Sequence, residues 1–284
     1  MTSQRGIVSV TVMESLPLMV PKPLAIILLV VITMVVVLYF IRRGSHTRGN
    51  SIMLVGISDA GKTAILSTLV YGQTLSSHAS LQTNTCILPL NKKGVTLVDI
   101  PGHPRIRAQF REHLPDAKVI VFVVDASSIS RNGSIVAEYL HQILHAVVTI
   151  LPSQNPPAIL ILAHKCDLLK SGTVPSTSSL GQLATNRVRN VLERELEKRR
   201  QSHTRSVAID ELGADGEDSS ELGGLDCNGP PGESFKFVEW EGGVIEFIGT
   251  WVSIGEKVDL ENEKSGNGSN DGLKDLMTWL ETHI

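Results

Sequence analysis

The stretch GISDAGKT places Gly56, Ile57, Ser58, Asp59, Ala60, Gly61, Lys62 and Thr63 in the pattern G-x-x-x-x-G-K-T. Glycines at these two positions let backbone N–H groups wrap a phosphate, and a following helix turns its positive end toward the same charge. Lys62 is spaced to reach β- and γ-phosphates, and the Thr63 hydroxyl to ligate Mg2+. Asp99–Ile100–Pro101–Gly102 closes a second apolar run. An acid there can hold the Mg2+ shell, and the Gly102 backbone can approach a γ-phosphate. His164–Lys165–Cys166–Asp167 closes a third. The Asp167 carboxylate is a candidate to accept the two donors of guanine, since adenine would leave it buried and unpaired. The stem of Lys165 would pack beside the base.

These groups need elements to hold them. The runs 51–55, 95–99, 118–124 and 158–163 are continuously apolar and β-branched, as expected of parallel strands covered on both faces. Helical spacing fills 62–71, 105–114, 134–151, about 180–200 and 271–283. The alternation predicts a doubly wound α/β domain over 50–284. Within it, 207–234 carries eight acids, six glycines and no Lys or Arg, which predicts a disordered acidic insertion. Residues 261–272 predict a second loop.

The chain has 284 residues, 26 basic and 29 acidic side chains and a net charge of −3. That balance excludes a general nucleic-acid binder, and aromatics at 4% exclude stacking platforms for single strands. Three widely spaced cysteines form neither a disulfide framework nor a zinc cluster. The run Leu24–Ile41 has no charged residue, and as a helix covers roughly 27 Å, enough for a bilayer core. Arg42, Arg43 and Arg48 follow it, which predicts a single-span anchor with the C-terminal domain in the cytosol. Residues 1–23 would then be lumenal and 42–49 a short linker. Ordinary structural roles suffice for Trp279 (core), Cys166 (small filler), His141 and His145 (solvent-facing) and the run 198–200 (a solvated face).

In this order the motifs resemble the small GTPases of the P-loop NTPase class. Three further segments, DIPGHPRIRAQF (99–110), ERELEKRRQSHTRS (193–206) and DLMTWLETHI (275–284), resemble the family of signal recognition particle receptor β subunits, relatives of Arf and Sar. The resemblance implies a mostly parallel sheet, GTP and Mg2+ as ligands, and the receptor α subunit as partner, through its N-terminal domain. It also implies the endoplasmic-reticulum membrane, with the ribosome, the signal recognition particle and the translocon as indirect partners. His103 stands where Ras-like enzymes carry a water-positioning Gln, and is the candidate catalytic residue. Thr83 is assigned as the switch threonine and third Mg2+ ligand beside Thr63 and Asp99, with Thr85 as rival. His164 departs from the Asn of the N-K-x-D pattern, and EFIGTWVSIGE (246–256) stands in place of the fifth motif, with Thr250 or Trp251 facing the base through backbone only. Two readings stay open beside a slow or partner-dependent GTPase: a docking module that holds GTP without hydrolysing it, and another Arf-like trafficking GTPase.

Overall fold

The computed structural model describes residues 31–34, 49–75, 78–90, 93–150, 156–169, 177–210, 225, 234–253 and 271–284. It divides into a unit at 1–47 and a second at 48–284. In the first, 31–34 form helix; the rest of the apolar run lies outside the described residues. Among the described residues no helix is long and apolar enough to cross a membrane.

Among the described residues, the second unit holds one six-stranded sheet. Its strands are β1 (Ser51–Val55), β2 (Asn84–Leu90), β3 (Lys93–Asp99), β4 (Ala117–Asp125), β5 (Ala158–His164) and β6 (Ile245–Gly249), in spatial order β2-β3-β1-β4-β5-β6. Only β2 runs antiparallel, paired with β3; the other neighbours are parallel. The helices are α1 (Lys62–Tyr71), α2 (Phe110–His113), α3 (Ile129–Ile150), α4 (Thr177–Asp210) and α5 (Lys274–His283).

Continuous apolar strands follow from two separate cores. Met53, Val55, Ile120, Phe122, Val124, Ile159 and Ile161 point to one face, under Leu140, Ile143 and Leu144 of α3 and Val188, Leu192 and Leu196 of α4. The alternate residues Ile52, Leu54, Val119, Val121, Val123, Leu160 and Leu162 point to the other, under Ile65, Leu66 and Leu69 of α1 and Leu276, Trp279 and Leu280 of α5. Each side chain buried this way contributes roughly 1.5–3 kcal/mol, which is why these strands are apolar along both faces. β2 lies at the edge and reads differently: Leu88 and Leu90 are buried while Ile87 is 71% exposed. Its half-covered alternation, broken by Pro89, explains why an apolar-run criterion missed it.

Several expectations need correction. The region 105–114 is not one helix but a 3-10 turn at Arg107–Gln109, the short α2 and a second turn at Leu114–Asp116. Pro115, near the start of that last turn, cannot continue an α-helical hydrogen-bond ladder. α4 runs on to Asp210, so the first residues of the acidic stretch are helical; 211–224 and 226–233 lie outside the described residues. His141 is buried rather than solvent-facing, because it shares the core face of α3 with neighbours one turn away. Arg199 does not simply face solvent: it donates to the Ser134 carbonyl at 3.1 Å and pairs with Glu138 at 3.5 Å, joining α4 to α3. Trp279 and Cys166 are buried, and burial pushes the Cys166 thiol up to about 11, which makes it inert packing.

Candidate nucleotide-binding site

Parallel strands deliver their C-terminal ends to one edge of a sheet, and ligands of such folds bind there. Here β1 ends into Gly56, β3 at Asp99, β4 at Asp125, β5 at His164 and β6 just before Thr250. The register pairs Leu54 with Asp99, Asp125 with His164 and Ala163 with Gly249, so these ends stand level. Between them opens a cavity of about 260 Å3, lined among others by Ser58, Asp59, Lys62, Thr63, Ser80 and Lys165.

The loop Gly56–Gly61 turns tightly from β1 into α1. Gly61 has φ +97°, and a Cβ there would stand 2.4 Å from the His164 ring, so only glycine fits. Gly102 is required for a different reason: its Cβ would stand 2.4 Å from the Ser58 nitrogen, so the 99–102 segment lies directly on the loop backbone. Lys62 is buried, and its Nζ donates to the carbonyls of Gly56 and Ile57 at 2.9 and 3.0 Å. Burial holds its ammonium below the ordinary lysine range, against the opposing pull of Asp99 and Asp59.

Asp99 is fully buried at the end of β3. One carboxylate oxygen, Oδ2, accepts from the Thr63 hydroxyl at 2.7 Å; the other, Oδ1, is buried without a hydrogen-bond partner. Burial raises its pKa, opposed by the Thr63 hydroxyl and by Lys62. A buried, half-satisfied carboxylate beside a hydroxyl is the donor set a hard divalent cation takes, so the residues present fit Mg2+. The hydroxyl that approaches Thr63 from the loop between α1 and β2 belongs to Ser80, 3.2 Å away.

At the far end of the cavity Lys165 has φ +58° and its Nζ reaches back to the Asp59 carbonyl at 2.6 Å and to Asp125 Oδ2 at 2.9 Å. Asp125 Oδ1 accepts from the Ser127 hydroxyl and from the Ser127 and Ser128 N–H groups. Burial alone would raise this carboxyl, but Ser127 and Lys165 outweigh it and hold it below the usual range. Asp167 is exposed at the start of a short 3-10 turn.

Asp99, His164 and Asp167 do not themselves line the cavity, and Thr83 and His103 are not in its lining either. Thr83 donates to Gln109 Oε1 at 3.1 Å, tying the loop before β2 to the segment after Gly102, and Thr85 lies within β2. His103 is exposed, and its Nδ1 accepts from the Arg105 N–H at 3.3 Å. Thr250 differs from expectation too. It faces His164 through its side chain, with His164 Nδ1 and Thr250 Oγ1 3.0 Å apart.

Residues 47–244 match the profile of the family described as signal recognition particle receptor beta subunit. The chain belongs to that family. Among its relatives, the rat signal recognition particle receptor subunit beta is 28% identical over 258 residues, covering 89% of this chain and 83% of the rat protein. The solved mammalian signal recognition particle receptor superposes with a TM-score of 0.58 at 26% identity, covering 82% of this chain and 100% of that chain. The fold is also that of the receptor's SRb-GTP/SRX complex from Chaetomium thermophilum, with a TM-score of 0.54, 21% identity and coverage of 82% and 100%. As a member of the receptor β-subunit family, the chain is a subunit with the small-GTPase fold in the signal recognition particle receptor.

Two residues of this β-subunit site escaped the sequence reading, Ser80 and Asp125; Thr250 was named there, but not its side-chain contact to His164. Asp125 carried a signal, since it ends an apolar strand as Asp99 does. Ser80 carried none, because it acts through Thr63, 17 positions away in sequence.

Proposed function

We propose that the chain binds GTP with Mg2+ in this cavity and, anchored in the endoplasmic-reticulum membrane, holds the receptor α subunit there. The observation that carries the reading is the convergence of the Gly56–Thr63 loop, Gly102 and Lys165 on one cavity, with Asp99 bonded to Thr63 at its wall. In this reading the loop N–H groups and Lys62 bind the β- and γ-phosphates. Thr63 and Asp99 hold Mg2+, which when bound would neutralise phosphate charge. Gly102 offers its backbone toward the γ-phosphate, and Asp167 accepts the guanine donors, with the Lys165 stem beside the base. Leu24–Ile41 supplies the anchor, with 1–23 lumenal, 42–49 a linker and 50–284 in the cytosol. Because SRb-GTP of the Chaetomium protein forms a complex with SRX, GTP is the state expected to hold the α subunit, which links the chain to the ribosome, the signal recognition particle and the translocon.

One observation favours a second reading, a docking subunit that holds GTP without turning it over. The exposed His103 ring already accepts from Arg105 and does not line the cavity. Both readings meet the same test. Full-length chain in detergent is captured on the receptor α subunit under GTP, GDP and no nucleotide. Retention should be strongest with GTP; equal retention in all three would remove the switch, and none in any state the receptor role. Stable retention over hours of GTP incubation, without GDP appearing, would select the docking reading.

A further inference from the structure

Among the described residues, Asp59 is the one acid in the cavity lining, in the company of Lys62 and Lys165. It stands in the Gly56–Gly61 loop at φ +62° and is exposed. Lys165, at φ +58°, is the only other described non-glycine residue with positive φ, and the two are joined: Lys165 Nζ donates to the Asp59 carbonyl at 2.6 Å. The backbone of Asp59 is therefore held, while its side chain is left to the cavity.

The two ammonium groups of the lining are engaged elsewhere. Lys62 donates to the Gly56 and Ile57 carbonyls, and Lys165 pairs with Asp125 Oδ2 at 2.9 Å. The Asp59 carboxylate makes no hydrogen bond or ion pair with any described residue. Its field still reaches the place where Lys62 acts: burial lowers the Lys62 ammonium, and Asp99 and then Asp59 pull it back up. A left-handed turn accounts for Asp or Asn at this position, since both tolerate positive φ, and glycine would hold it without strain. The turn does not account for the charge. An anion in a loop whose N–H groups gather phosphate opposes the ligand of that loop.

Resting on the nucleotide reading above, we propose that the Asp59 carboxylate is a fixed like charge beside the bound phosphates, and that it sets how fast nucleotide leaves. Asp59 is tied to Lys165 on the base side of the loop, whereas Gly102 marks the γ-phosphate side. The charge therefore acts on the phosphates that GDP and GTP share. It keeps the site exchangeable without selecting one nucleotide over the other, while Lys62 and the loop N–H groups hold what is bound. An exposed like-charge pair in a wet cavity is worth about fivefold in release rate.

The test uses full-length protein in detergent, loaded with fluorescent GDP or GTP analogues, with release followed after addition of excess unlabelled nucleotide. Asp59→Asn keeps the size and the turn and removes only the charge; Asp59→Gly removes the side chain and suits the same φ. Both should slow release of GDP and GTP alike by about fivefold at about 0.1 M salt. At about 1 M salt, where the screening length has fallen from about 10 Å to about 3 Å, both should come within about twofold of wild type. An Asp59→Asn protein that releases as wild type would make Asp59 a turn residue and nothing more. Faster release would mean that the carboxylate holds the nucleotide, and a slowing that salt leaves unchanged would assign the effect to packing; either overturns the proposal. So would a slowing confined to GTP, which would place the charge at the γ-phosphate. Wild-type protein that takes up neither nucleotide would remove the nucleotide reading itself, before any variant is needed.

Discussion

The two ends of the cavity treat their charges in opposite ways. At the end where we propose that the phosphates bind, Lys62 and Asp99 are both buried, and burial moves each toward its neutral form. Asp99 also keeps one oxygen without a partner. At the base end, Asp125 is saturated by Ser127, Ser128 and Lys165, and His164 sheds its charge altogether. A buried charge left short of partners costs free energy that a bound ion can return, while a saturated one is already part of the scaffold. In the proposed reading, the difference separates the groups that would meet a ligand from those that hold the frame.

The largest expected effect comes from breaking the phosphate end. Lys62→Met keeps the stem and removes the charge. GTP affinity should fall by about a hundredfold or more, the loss of a charge-assisted contact of about 3 kcal/mol. The melting temperature without nucleotide should not fall by a comparable amount, since a buried ammonium is removed with it. A variant that melts far earlier and binds little worse would place Lys62 in the frame and erase the contrast.

Acid distinguishes the two ends by sign. His164 has a folded pKa of about 4 against 6.5 for the free side chain. Above pH 6.5 both folded and unfolded forms are neutral and the full contribution is present. As pH falls from 6.5 toward 4, the unfolded chain takes up a proton that the folded one refuses, so stability is lost, by up to about 3 kcal/mol. Asp99 runs the other way: its raised folded pKa means that protonation on acidification relieves its burial and adds stability. Melting temperature measured from pH 7 to about 4.5 should fall, and fall less steeply in His164→Asn, which has no proton to take up there. Equal slopes would mean that His164 is not the group refusing the proton.

What could be read from the sequence follows the same division. Gly56–Thr63 and Asp99–Gly102 are contiguous, and the backbone chemistry they serve leaves little freedom in residue type, so the phosphate end was legible. Four of the five parallel strands were legible because both faces are buried. The base end depends on β6, a short strand with four of its five residues only half-buried, and on a contact between residues 86 positions apart. No local pattern announces such a pair. β2 failed for a related reason: an edge strand buries one face, and its exposed Ile87 and Pro89 hide the alternation.

The smallest expected effect concerns which hydroxyl completes the phosphate end. The family resemblance pointed to Thr83, with Thr85 as rival, yet Thr83 donates to Gln109, and the hydroxyl beside Thr63 is that of Ser80. If the loop hydroxyl that senses Mg2+ is the one already at Thr63, Ser80→Ala should weaken GTP more than GDP, by about fivefold, since one hydrogen-bonding group of about 1 kcal/mol is lost. Thr83→Ala should leave both nucleotides within about twofold and instead loosen the link between the loop before β2 and the segment after Gly102. Titrating Mg2+ against fluorescent GTP and GDP with each variant reads the two apart, because only a group at the ion shifts the Mg2+ midpoint. A midpoint that moves with Thr83→Ala and not with Ser80→Ala would show that this loop rearranges when the ion binds. In that case the Ser80–Thr63 contact belongs to the nucleotide-free arrangement alone, and the phosphate end is mobile where the base end is fixed.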